Sequence, residues 1–250
     1  YKFQHKVTTL LGRNDIIMKI LFTIFILTLS TGNVKSAESS LESKYEEFSK
    51  LVNQDISFIK TTIASMETNY VEEEILDQII KEVKEQKKLN INPTNKISTR
   101  ASSLGTALPG AIFYYPAYTS GVNHGHNGIY TKNDEIAEAP GGSNLTRLVP
   151  VNIANFSPGE TKVYIVNVAT TEQKNLSAAW ARRMALKARP YNDAFWSNKS
   201  CNDSDNYNCS QLVWCAYNDT SNIDLDSNLG FGVYPSDIIA SGKLTYAATY

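Results

Sequence analysis

The residues that could do covalent chemistry are few and clustered. Cys201, Cys209 and Cys215 fall close together, and apart from His5 the histidines are the pair His124 and His126 in Asn123-His124-Gly125-His126-Asn127-Gly128. Cys209 follows the polar run Asn202-Asp203-Ser204-Asp205-Asn206 and precedes the apolar Leu212-Val213-Trp214, which places it at or near a helix N-terminus. Unpaired N–H groups and the helix dipole stabilise a thiolate there, and the same N–H groups can hold a developing oxyanion. A neutral imidazole can take the thiol proton and pass it to the leaving group, and a carboxylate can hold that imidazole in the correct tautomer. His126 is the candidate base. It heads a strand and is flanked by glycines that let another backbone or a substrate approach. Glu138 is the candidate third residue. It ends the next strand, before Pro140-Gly141-Gly142, and if the two strands pair as a hairpin the two side chains can lie on one face.

Other uses of the same residues give different functions. Cys209 can be a small buried hydrophobe or a disulfide partner, and a Cys201–Cys209 bridge would disable or redox-gate the site. Cys215, turned to another helix face at ~100° per residue, reads as core, with pairing to Cys201 as the alternative. His124 shares a strand face with His126 if the strand extends back that far, and it reads as a loop histidine or a substrate contact. His124-x-His126 with Glu138 or Cys209 could instead bind zinc. A third class is a non-catalytic module whose cleft binds a wall or host ligand. Tyr114, Tyr115, Trp196 and Trp214 either line a cleft or pack in the core.

Four motifs in order carry a family resemblance: Gly125-His126-Asn127-Gly128-Ile129-Tyr130, then Glu138-Ala139, then Asn208-Cys209-Ser210-Gln211-Leu212-Val213-Trp214, then Tyr234-Pro235-Ser236-Asp237. Together they resemble the circularly permuted NlpC-type cysteine hydrolases, the YiiX/YebB-like branch of the papain-fold superfamily, over roughly residues 105–247. The order His, Glu, Cys fits the permuted arrangement. The resemblance implies Cys209 as nucleophile, His126 as base and Glu138 as orienter. It also implies an amide substrate such as a peptide bond in peptidoglycan stems, with a lipid acyl hydrolase or acyltransferase on the same triad as the alternative. No cofactor is implied, because nucleophile, base and oxyanion donors all come from protein. Unpermuted relatives often carry Asp-Cys-Ser-Gly where this chain has Asn208-Cys209-Ser210-Gln211, so the acidic residue that would meet a free substrate amine is absent beside the nucleophile.

The elements that must position these residues read as α+β. Strand candidates lie at Ala111–Tyr115, Gly128–Thr131, Glu135–Glu138, Thr146–Val151 and Val163–Val168, and helix candidates at Leu176–Ala188, Tyr207–Tyr217 and Tyr234–Ile239. Strands followed by helices without strict alternation indicate an α+β domain, and the resemblance implies that 106–250 is a permuted papain-like (NlpC-type) domain with an antiparallel sheet and helices. Ahead of it, 38–92 reads as a helical hairpin serving as a packing collar or spacer. Leu41, Tyr45, Phe48, Val52, Ile56, Ile59, Ile63 and Met66 make one helical stripe, and Ile75, Leu76, Ile79, Ile80 and Val83 a second. Residues 93–105 are polar and read as a linker. Residues 18–37 combine Lys19, a short apolar centre and the small Ser36 and Ala37, the pattern of a secretory signal peptide. Residues 1–17 read as an upstream segment outside the mature protein. The expected location is therefore secreted or cell-envelope associated, with the membrane met only through the signal. The 250 residues are 42% apolar with a net charge of −1, which argues against wholesale disorder and against a nucleic-acid partner. Three cysteines without a CxxC pair argue against a disulfide-dense scaffold, a zinc ribbon or a thioredoxin-like motif.

Overall fold

A computed structural model describes residues 38–66, 68–89, 104–119, 122–154 and 160–250. The expected upstream segment, signal peptide and most of the linker lie outside the described residues. The chain divides into two compact units, Tyr1–Ile56 and Ser57–Tyr250.

In the first unit, helix α1 runs over 38–52 and buries Tyr45 and Phe48 from the expected stripe. It ends where Asn53 turns left-handed at φ 54°, a conformation asparagine adopts more readily than most residues. The Ser49 hydroxyl donates to the Gln54 carbonyl at 2.6 Å, closing the turn. Helix α2 (Ile56–Ala64) then starts afresh. The stripe read as one long helix is thus two. The apolar spacing carries across the break, but the left-handed Asn53 ends the first helix.

The second unit contains α3 (Glu72–Leu89) and a sheet with two long helices. Strands β1 (Ile112–Tyr115), β4 (His126–Lys132), β5 (Glu135–Glu138), β6 (Arg147–Pro150), β7 (Lys162–Val166) and β8 (Leu244–Thr249) form a six-stranded sheet in the order β6-β5-β4-β1-β7-β8. Every pairing is antiparallel. Strands β2 (Tyr118–Thr119) and β3 (Val122–Asn123) make a separate small ladder. The fold is α+β with an antiparallel sheet. Strand β8 was not among the expected strands. It is a half-exposed edge, and its pattern gives no continuous apolar face.

Alternation along the strands builds two cores. Ile112, Ile129, Ala137 and Val166 face helices α4 (Thr171–Leu186) and α5 (Cys209–Ser221), meeting Trp180, Ala181, Met184, Leu212, Val213 and Ala216. Phe113, Tyr130, Ile136 and Val163 face the other way, against Leu104, Val151 and Ala154. Full burial of side chains such as Leu212 or Ile129 is worth roughly 1.5–3 kcal/mol each. The α4–α5 layer therefore holds the helix that carries Cys209 firmly on the sheet. Helix α4 begins with Thr170 and Gln173 in a reciprocal capping box, and the Trp180 indole donates to Asp219 at 2.7 Å, joining α4 to α5. Helix α6 (Pro235–Ala240) follows a loop after α5.

Candidate active site

Cys209 is the first residue of α5, as its polar-then-apolar context predicts. Asn208 caps the helix: its Oδ1 accepts the Gln211 N–H at 2.9 Å and the Asn198 amide at 3.1 Å, while Gln211 Oε1 faces back to the Asn208 N–H. Such a cap is worth about 1 kcal/mol. Gln211 is fixed in turn by Asn192 at 2.8 Å and by its own donation to the Ser200 carbonyl at 2.8 Å. Asn208 is thus committed to holding the helix start.

His126 opens β4 and Glu138 closes β5. The Ile129–Ala137 pair sets the hairpin register, so Glu138 lies diagonally across from His126 on the same face, within reach of long side chains. His126 Nε2 and Glu138 Oε2 are 3.0 Å apart. That contact leaves Nδ1 for Cys209, whose thiol lies close enough to the His126 ring to act on its titration. All three are buried, with Cys209 and His126 5% exposed and Glu138 4%.

The glycines beside His126 admit protein, not substrate. At Gly125, where φ is 67°, a Cβ would meet the Tyr114 ring at 2.7 Å and Pro235 of α6 at 3.2 Å. At Gly128 it would meet the Phe113 ring at 2.5 Å and the Ala137 carbonyl at 2.6 Å. These close approaches let the Phe113 and Tyr115 rings pack against the imidazole, at centroid distances of 5.9 and 5.1 Å.

The electrostatics favour an ion pair. Burial raises the Cys209 thiol, but the hydrogen bond and charge of His126, the Asn127 backbone N–H and the Tyr191 hydroxyl outweigh it, and the net shift is downward. Burial opposes the His126 imidazolium, yet hydrogen bonds and charge from Cys209 and Glu138 push it up to about 9. Glu138 is also raised by burial, and His126 and Arg147 together bring it below the usual carboxylate range. All three shifts run in the sense that favours thiolate, imidazolium and carboxylate over their neutral forms.

Two neighbours escaped the sequence reading. Arg147 on β6 stands in register with Glu138 and binds its Oε1 through Nε at 2.9 Å and Nη2 at 2.7 Å. Tyr191, in the connection between α4 and α5, places its hydroxyl 4.0 Å from the Cys209 sulfur. Arg147 could have been found from a correct β5–β6 register. Tyr191 lies in irregular chain with no periodic signal.

The remaining cysteines form a Cys201–Cys215 disulfide with Cα atoms 5.4 Å apart, and Cys209 is free. Cys215 is therefore buried as half of a bridge, where it was read first as plain core, and the bridge ties the loop preceding α5 back onto that helix. His124 turns its Nδ1 to the Gly125 carbonyl at 2.9 Å. Among the described residues no three His, Cys, Asp or Glu side chains are arranged to hold a metal ion, so the zinc reading finds no ligand set in His124, His126, Glu138 and Cys209. Trp196 is fully buried and Trp214 nearly so, with its indole on Asp224 at 2.8 Å; both belong to the packed interior.

No family model matches the chain. The uncharacterized protein YycO of Bacillus subtilis (strain 168) is 35% identical over 152 residues, which are 61% of this chain and 60% of that protein, so this chain spans less than two thirds of its relative. A crystal structure described as metalloprotein yiiX from Escherichia coli O157:H7, DUF1105, aligns with a TM-score of 0.43 and 19% identity over 58% of this chain and 98% of that one. A likeness of that size fixes neither fold nor chemistry for this chain.

Proposed function

We propose that the protein is a cysteine hydrolase of permuted, NlpC-type papain-like architecture that cleaves an amide bond through a thioester. The observation that carries this reading is the meeting of Cys209, on the first turn of a capped helix, with His126, which is joined to Glu138 at 3.0 Å. The Cys209 thiolate attacks the carbonyl carbon, and the backbone N–H of Cys209 and the Tyr191 hydroxyl, which stands beside the sulfur, serve as donors to the oxyanion. As the tetrahedral adduct collapses, the C–N bond breaks and His126 Nδ1 gives its proton to the leaving amine. Water then enters, His126 takes one of its protons, and attack on the thioester releases the acid and regenerates the thiolate–imidazolium pair. Glu138 keeps Nε2 protonated throughout, so that Nδ1 remains the working nitrogen.

The substrate class follows from the motif resemblance: a peptide amide, with peptidoglycan stem peptides first and lipid amides or esters second. An exported location suits both that substrate and the Cys201–Cys215 disulfide, since disulfides persist outside the cytosol. The test is incubation of the protein with purified peptidoglycan fragments and, separately, with N-acyl lipids, followed by mass spectrometry of the products and of intact protein. The expected result is release of a stem-peptide fragment and an acyl adduct confined to Cys209, both absent from Cys209→Ala. Cleavage of the lipid alone reassigns the substrate, and cleavage of either that survives Cys209→Ala overturns the mechanism.

A further inference from the structure

The two oxygens of Glu138 are divided between two partners. Oε2 faces His126 Nε2 at 3.0 Å. Oε1 accepts twice from Arg147, at 2.9 and 2.7 Å. The Glu138 side chain is 5% exposed and that of Arg147 52%, so the guanidinium closes the carboxylate off from solvent on the β6 side. A buried carboxylate with no counter-ion would act on the imidazole with its full charge. It would hold the imidazolium tightly, although that proton has to leave His126 in every turnover. A paired carboxylate acts more like a neutral hydrogen-bond acceptor that still fixes the tautomer.

We infer that Arg147 is a positioning residue for the catalytic pair, turning Oε2 of Glu138 toward His126 by two-point binding of Oε1 and cancelling much of the carboxylate charge, so that the imidazolium remains a competent acid. This role rests on the cysteine-hydrolase reading of the site. The other titratable groups facing the pair are Cys209 from α5, Tyr115 from β1, His124 ahead of β4 and Tyr191 from the α4–α5 connection. None of them is a cation bound to the carboxylate. Both tyrosines are held neutral, with burial raising them far above their ordinary range. Arg147 and His126 are thus the cations that set the charge of Glu138 among the described residues.

The role is tested by nuclear magnetic resonance of ring-labelled histidine, following His126 against pH in the whole protein with its disulfide intact. Removing a cation beside a connected set of titrating groups raises the proton affinity of the set. Arg147→Gln is therefore expected to move the His126 titration upward by about one unit. Arg147→Lys, which keeps the charge but loses the planar fork, is expected to restore at least half of that shift. Glu138→Gln is expected to move it downward, and adding Arg147→Gln to Glu138→Gln should give less than half the upward shift seen alone. The exposed position of Arg147 lets these variants fold, and the dispersion of the same spectra verifies it. An unmoved titration in Arg147→Gln, or a double variant in which the full shift persists, overturns the role. A His126 that titrates near its ordinary value and does not respond to Cys209→Ala, in the unsubstituted protein, would instead overturn the catalytic pair itself.

Discussion

Two polar networks in this molecule each pair a buried carboxylate with a cation and differ in what they can do. Around the nucleophile, Glu138 is bracketed by His126 and Arg147, and its carboxyl sits below the usual range. Beneath α6, Glu82 and Gln86 of α3 meet the segment that follows α5. Glu82 accepts from the Phe231 N–H at 3.2 Å, and the Gln86 amide donates to Asp237 Oδ1 at 3.0 Å and accepts from Ser236 at 2.6 Å. Lys199 bonds Asp226 and the Gly230 carbonyl. There burial dominates: Glu82 is raised, and Asp237 is pushed up to about 6. Burial of charge alone therefore does not mark a reactive site. The first network has a thiol, an imidazole beside it, and a carboxylate that binds both that imidazole and Arg147. The second has neither thiol nor imidazole, and it pins α3 to the loop ahead of α6. Because Pro235 abuts Gly125 next to His126, that pinning also fixes the approach to β4.

The contrast breaks most sharply at the nucleophile. Cys209→Ala should abolish turnover, by about 10⁴-fold or more, while leaving stability within about 1 kcal/mol, as read by product assay and urea unfolding. His126→Ala should cost about 10³- to 10⁴-fold in kcat/KM. The second network should respond in the opposite currency. Lys199→Met leaves Asp226, whose side chain is 1% exposed, buried without its counter-charge and should cost about 2–3 kcal/mol, whereas kcat per folded molecule should stay within about twofold.

The smallest effect separates the networks by the sign of their pH dependence. Asp237 titrates higher folded, at about 6, than its ordinary 3.8. Its contribution is fully present below about pH 4 and is lost as pH rises through about 6. Glu138 has the reverse sign. It titrates lower folded than unfolded, so its contribution is present above the unfolded value and is lost as pH falls through the folded one. Melting temperatures should therefore show Asp237→Asn gaining relative to the parent between about pH 4 and 7. No gain across that window would contradict the dominance of burial in the second network.

Much of the site was legible because its signals are local. A polar run followed by apolar helical spacing located Cys209 on the first turn of α5, and two short strands bounded by Gly and Pro placed His126 and Glu138 on one face. What was not legible depends on long-range register or on single backbone angles. Arg147 matters only because β6 pairs with β5 so that it stands opposite Glu138. Tyr191 reaches Cys209 from irregular chain. The break at Asn53 leaves the apolar stripe intact and so is invisible to periodicity. Strand β8 alternates too weakly to announce itself, and the glycines beside His126 looked like room for substrate although Phe113, Tyr114 and Pro235 fill them.

The central claim is an activated thiolate–imidazolium pair, and site-resolved alkylation of Cys209 against pH tests it most directly. Disulfide-intact protein would be labelled with a small haloacetamide from about pH 5 to 9 and quantified by peptide mass spectrometry, beside His126→Ala. The account predicts labelling that persists well below the ordinary thiol pKa of about 8.5 and that falls back to an ordinary thiol titration in His126→Ala. Labelling of the unsubstituted protein that follows the ordinary thiol titration, or that is indifferent to His126, would contradict it.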